Sequence, residues 1–63
     1  MSFELQFRGA LSRYLRSRGY DIYRIHAYCY DDDRELQLEY YNSSNEFKVL
    51  WIGVPMQELL EQL

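Results

Sequence analysis

A chain of 63 residues with one cysteine, Cys29, one histidine, His26, and a net charge of −3 argues against a disulfide framework or a zinc-type metal site. It also leaves little more than one core, so aromatic packing, self-association or both must hold the domain together. Seven Tyr, three Phe and one Trp supply amphipathic rings for that packing. The charge is unevenly placed: residues 1–26 carry five Arg against Glu4 and Asp21, a net +3, whereas residues 27–63 carry Arg34 and Lys48 against eight acids, a net −6. Such polarity can orient a partner. No signal-like pattern opens the chain and no long apolar run interrupts it, so the expectation is a cytosolic protein without membrane contact or cofactor.

In chain order, the first element predicted is a helix from about Phe3 to Arg18. Phe3, Phe7, Ala10, Leu11, Tyr14 and Leu15 fall on one face, with Arg8, Ser12, Arg13 and Arg16 opposite. Ser2 can cap it, Glu4 suits its positive end, Arg16 and Arg18 its negative end, and Gly19 stops it. Tyr20–Tyr30 then switches to period two, a strand signal, followed by an Asp31-Asp32-Asp33-Arg34 turn. Glu35–Tyr41 reads as a second strand, Asn42-Ser43-Ser44-Asn45 as a second turn, and Glu46–Ile52 as a third strand. After Gly53 and Pro55, Met56, Leu59, Leu60 and Leu63 mark a short closing helix that must dock to be stable.

The elements predict a single α+β domain over 1–63: a three-stranded antiparallel meander in order 1-2-3, with both helices on one face. If each turn is a four-residue cluster, Tyr30 faces Glu35 and Tyr41 faces Glu46. The covered face then collects Tyr23, Ile25, Ala27, Cys29, Leu36, Leu38, Tyr40, Phe47, Val49 and Trp51. The open face collects Arg24, His26, Tyr28, Tyr30, Glu35, Gln37, Glu39, Tyr41, Glu46, Lys48, Leu50 and Ile52.

In that register His26, Glu39 and Lys48 form one cross-strand row, with Arg24, Tyr41 and Glu46 in the next. A His beside a carboxylate and a cation suits acid–base work, but a row of weak charge pairs needs nothing further, and no nucleophile or phosphate loop accompanies it. His26 and Cys29 are three apart, which in a regular strand puts them on opposite faces and rules out a shared metal, leaving Cys29 as a core residue. The acidic turn with Glu35 lacks the glycine and closing Glu of a calcium loop, and reads as solvated, with an acidic knob for a basic partner as the alternative.

Two families share this order of elements. The stretch Ser17–Ile25, SRGYDIYRI, resembles the helix exit and first strand of HicA-type toxins, which cleave messenger RNA. That resemblance covers a small part of the chain, and the Gly-Ser-His stretch bearing the family's catalytic His is missing, Ala27-Tyr28-Cys29 standing near its place. The topology is also similar to double-stranded-RNA-binding domains. Their basic Lys-Lys segment is replaced here by Gly53-Val54-Pro55-Met56-Gln57-Glu58.

The functional expectation is a non-enzymatic protein–protein interaction module. Its predicted contact surface is the open-face cluster of Tyr28, Tyr30, Leu50 and Ile52 around Gln37 and Glu35, joined by the free edge of the third strand. The partner would be a second copy or an unlike protein. Small size and an acidic surface suit an accessory or inhibitory protein of phage or mobile-element type, bound to a nucleic-acid-processing protein. The alternatives are an RNA-binding or degenerate HicA-like module using Arg8, Arg13 and Arg16 of the first helix, and a self-associating structural domain.

Overall fold

The computed structural model describes residues 3–31 and 34–63. Helix α1 (Phe3–Ser17) is followed by strands β1 (Arg24–Tyr30), β2 (Glu35–Tyr41) and β3 (Phe47–Gly53) and by a one-turn helix α2 (Met56–Leu60). The sheet is an antiparallel meander in order β1-β2-β3, as the alternation predicts. Both helices contribute to one core on one side of it.

Helix α1 ends as its sequence dictates. Gly19 takes φ 96°, which a side chain would resist, and lets Tyr20 N bond Leu15 O at 3.0 Å and Gly19 N bond Arg16 O at 3.1 Å. The buried stripe is Phe7, Ala10, Leu11, Tyr14 and Leu15. Phe3 begins the predicted stripe but is exposed, stacked on Phe7 at 5.9 Å.

The register differs from the expectation by one residue at each hairpin, and the turns supply the cause. Asn45 N bonds Asn42 O at 2.9 Å, Asn45 adopts φ 62°, and Asn42 N bonds Glu46 O at 3.0 Å. This is the three-residue loop in which a left-handed residue adds one position before pairing resumes. Asn42 therefore faces Glu46, and Tyr41 faces Phe47 rather than Glu46. The first hairpin repeats the pattern: Arg34 N bonds Asp31 O at 3.0 Å, Arg34 has φ 62°, and Asp31 N bonds Glu35 O at 3.2 Å. Tyr30 thus faces Leu36. Asp32 and Asp33, and with them the middle of the acidic turn, lie outside the described residues.

Because side chains alternate, a one-residue slip exchanges the faces of a strand. Tyr28, Tyr30, Leu50 and Ile52, expected on the open face, pack instead against the core cluster under the helices. Phe47, Val49 and Trp51, expected inside, are 49%, 53% and 64% exposed. In β1 a bulge between Ile25 and Ala27 restores the expected register at Ile25, which is buried. Beyond the bulge the slip persists, so Cys29 is exposed rather than a core residue. Tyr23, also expected inside, precedes the strand and is 68% exposed.

The core that results contains Phe7, Leu11, Tyr14 and Leu15 from α1, Ile22 and Ile25, then Leu36, Leu38 and Tyr40 from β2, with Val54 and Leu59. Leu59 is fully buried, whereas Met56, Leu60 and Leu63, expected on the same docking stripe, are 37%, 50% and 52% exposed. Helix α1 lies over β1, with the Phe7 ring 5.4 Å from that of Tyr28 and 6.4 Å from that of Tyr30. Helix α2 is tied to α1 by Glu58, which accepts from the Tyr14 hydroxyl at 2.8 Å and from Arg18 at 3.0 Å. The Tyr30 hydroxyl donates to Val54 O and fixes the chain between β3 and α2. Among the elements, β3 has only β2 as a close backbone neighbour. No described helix is long and apolar enough to cross a membrane.

Candidate functional site

The uncovered side of the sheet is built from the residues that the true register turns outward. Strand β2 contributes Gln37, Glu39 and Tyr41, which lie opposite Trp51, Val49 and Phe47 of β3. Strand β1 contributes Arg24, His26, Ala27 and Cys29. At one end His26 stands edge-on to Tyr41 and Phe47, with ring centroids at 6.2 and 6.0 Å, and Tyr41 and Phe47 are 5.4 Å apart. The Arg24 guanidinium covers the Tyr41 ring at 4.7 Å. From this cluster Phe47, Val49 and Trp51 continue along β3 as an exposed apolar row.

Two expected rows dissolve in this arrangement. Lys48 lies opposite Tyr40, on the other face, so it cannot join His26 and Glu39. Arg24 and Tyr41 do meet, but Phe47 and not Glu46 completes their row. The bulge also overturns the opposite-face argument for His26 and Cys29: with an extra residue between Ile25 and Ala27, both stand on the open face. Among the described residues, no group of three or more His, Cys, Asp or Glu side chains is placed to hold a metal ion.

The edges of the sheet differ. The ladder between β2 and β3 is bracketed by Asn42 N to Glu46 O and Val54 N to Arg34 O, at 3.0 and 2.9 Å. Even-numbered residues of β3 therefore bond β2, and the backbone groups of Phe47, Val49, Trp51 and Gly53 point outward from the sheet. The β1 edge is guarded by its bulge and by Arg8, which donates to Ile25 O at 3.1 Å. The β3 edge has no bulge or proline, and its sole charged side chain is Lys48.

The arginines proposed for RNA are engaged within the domain. Arg8 bonds Ile25 O and pairs with Glu4 at 3.5 Å, Arg13 bonds Gln62 O, and Arg16 bonds Ile22 O at 2.8 Å. Of the residues assigned to the contact surface, Gln37 and Glu35 are exposed. Tyr28, Tyr30, Leu50 and Ile52 are half-buried under the helices. The row that replaces them was visible in the sequence only as the other parity of a strand, Phe47–Ile52, that is apolar on both faces except at Lys48. No protein-family model, curated protein or solved structure matches the chain.

Proposed function

We propose that this domain is a non-enzymatic protein–protein interaction module that binds through β3 and the open face of its sheet. The observation that carries the reading is the exposed row Phe47, Val49 and Trp51, placed on the edge strand whose outer backbone groups are free. Aromatic and aliphatic side chains grouped this way resemble the centre of an interface, where rings contribute most of the binding energy. The cluster of Tyr41, Phe47 and His26 extends the row without adding flexible side chains.

Exposed aromatics on a sheet also suit stacking on single-stranded nucleic acid. Charge weighs against that use, because Arg24 is offset on this face by Glu39 and Glu35, and phosphate binding depends on accumulated positive charge. The helix arginines face other parts of the molecule and already donate to backbone carbonyls.

The test is a photo-crosslinking phenylalanine analogue placed at Phe47 or Trp51, with Gln57 on α2 as control, in cells that make the protein. Adducts to polypeptide from positions 47 and 51 and none from 57 are expected. Adducts to nucleic acid, or no difference between the positions, would refute the reading.

A further inference from the structure

We infer that the occupant of the β3 edge is a second copy of this chain, paired antiparallel about a two-fold axis at Leu50 to make a continuous six-stranded sheet. The inference rests on the interaction reading above and names its partner. Strand β3 is open in three directions: its outer backbone, its uncovered face, and a helix-side face on which Leu50 and Ile52 are half-buried. Pairing along the edge supplies neighbours in all three at once. Stacking a partner on the open face alone would leave the outward N–H and C=O groups of the strand unmatched.

The strand is complementary to itself. Its seven residues run from Phe47 to Gly53 with Leu50 at the centre. A two-fold axis there sets Phe47 opposite Gly53 of the copy and Val49 opposite Trp51 of the copy. Those four residues are the ones whose backbone groups point outward, so every free donor on one strand meets a free acceptor on the other. On the open face Val49 and Trp51 form two aromatic–aliphatic cross-strand pairs, and the ring of Phe47 lies over a glycine. Every side chain that β3 presents on that face is uncharged, so the copies meet there without like-charge pairs.

Charge also disfavours a shift of the axis toward Lys48. With the axis at Leu50, each Lys48 faces Ile52 of the copy, and the two lysines are four residues apart, about 13 Å along the strand. That exceeds the roughly 8–10 Å over which surface charges interact at ordinary ionic strength. Moving the axis to Val49 would bring the lysines to a diagonal separation of about 7–8 Å, within that range. The β1 edge offers no equivalent site, because its bulge and the bond from Arg8 to Ile25 O interrupt the outward groups.

Sedimentation equilibrium of the purified chain, with cysteine crosslinking at the proposed axis, tests the inference. The expected result is a reversible species of twice the 7.7 kDa chain mass. Trp51→Glu should weaken it at least a hundredfold while leaving the circular dichroism spectrum unchanged. In a Cys29→Ser background, Leu50→Cys should oxidise to a covalent dimer and Ser44→Cys, at the far turn, should not. The inference is overturned by a monomer at millimolar concentration, or by a dimer in which the two cysteine variants crosslink equally. If the chain is monomeric and positions 47 and 51 crosslink to a different protein, the self-pairing falls and the interaction reading stands. Crosslinks to nucleic acid, or none, would remove both.

Discussion

Leu38 sits at the centre of β2, opposite Tyr28 on one side and Leu50 on the other, and is fully buried beneath the helices. Replacing it with alanine leaves a cavity whose walls are held on both sides by strand ladders, so little collapse can relieve it. The cost should lie at about 3–5 kcal/mol, the upper part of the range for such truncations. A single core of this size rarely supplies more than about 3–5 kcal/mol in total, so Leu38→Ala should be mostly unfolded at room temperature. Val49→Thr provides the contrast, because Val49 is 53% exposed and its hydroxyl replacement remains in water. That change should fall within about 0.5 kcal/mol of the parent. Were Val49 turned under the helices, the buried hydroxyl would cost about 1–3 kcal/mol. Urea unfolding followed by far-ultraviolet circular dichroism, at low micromolar concentration and repeated at a tenfold dilution, measures both. A Val49→Thr cost in that range of about 1–3 kcal/mol would refute the register and everything built on the exposed row.

Other consequences follow from particular contacts. Arg34 is held at φ 62°, where glycine has no steric penalty, so Arg34→Gly should raise the unfolding free energy by about 0.5–1 kcal/mol; a loss of stability in urea would contradict the turn. Burial above all, and then the hydrogen bond to Glu58, raises the Tyr14 phenol above its ordinary 10.0, while Arg18 acts to lower it. The folded state therefore favours the neutral phenol, and the associated stability is complete below pH 10 and lost as pH rises through the folded value. Tyr14→Phe should flatten that alkaline limb of the stability curve, and an unchanged slope would count against the cause assigned. Substituting Arg13 and Arg16 with glutamine should leave any RNA affinity weak and unaltered, whereas a marked loss with a shallower salt dependence would favour the nucleic-acid reading.

Much of the architecture is legible in the residues. The α1 stripe from Phe7 on, the Gly19 stop and the period-two strands each rest on local chemistry, and the order of elements follows from them, whereas of the stripe expected on α2 Leu59 alone is buried. The register is harder to read, for a physical reason. In Phe47–Ile52 both parities are apolar apart from Lys48, so hydrophobicity cannot choose which set faces the helices, and the turn decides instead. Asn45 is a residue that tolerates the left-handed region, and Asn42 can hold the loop through Oδ1, which accepts from Ser44 N at 3.0 Å and Glu46 N at 2.9 Å. Those two asparagines were the available signal for a three-residue loop. Arg34 gave none, since arginine has no preference for the conformation it adopts. The bulge beside His26 was equally silent, lacking a glycine or proline to mark it, and it returns Ile25 to the core while leaving Ala27 and Cys29 outside. The open face changed with the register: the apolar side chains exposed on it are Phe47, Val49 and Trp51, opposite in parity to those first assigned to it.

Residue-resolved amide hydrogen exchange across β3, over a range of protein concentration, tests the central claim that this strand is a free edge that pairs with its own copy. In dilute solution the amides of Lys48, Leu50 and Ile52, bonded to β2, should exchange slowly, and those of Phe47, Val49 and Trp51 should exchange nearly as in an unstructured chain. As concentration rises, the second set should slow toward the first while the remaining amides change little. Protection of Phe47, Val49 and Trp51 that is already high when dilute, or that never develops at any concentration, would contradict the account.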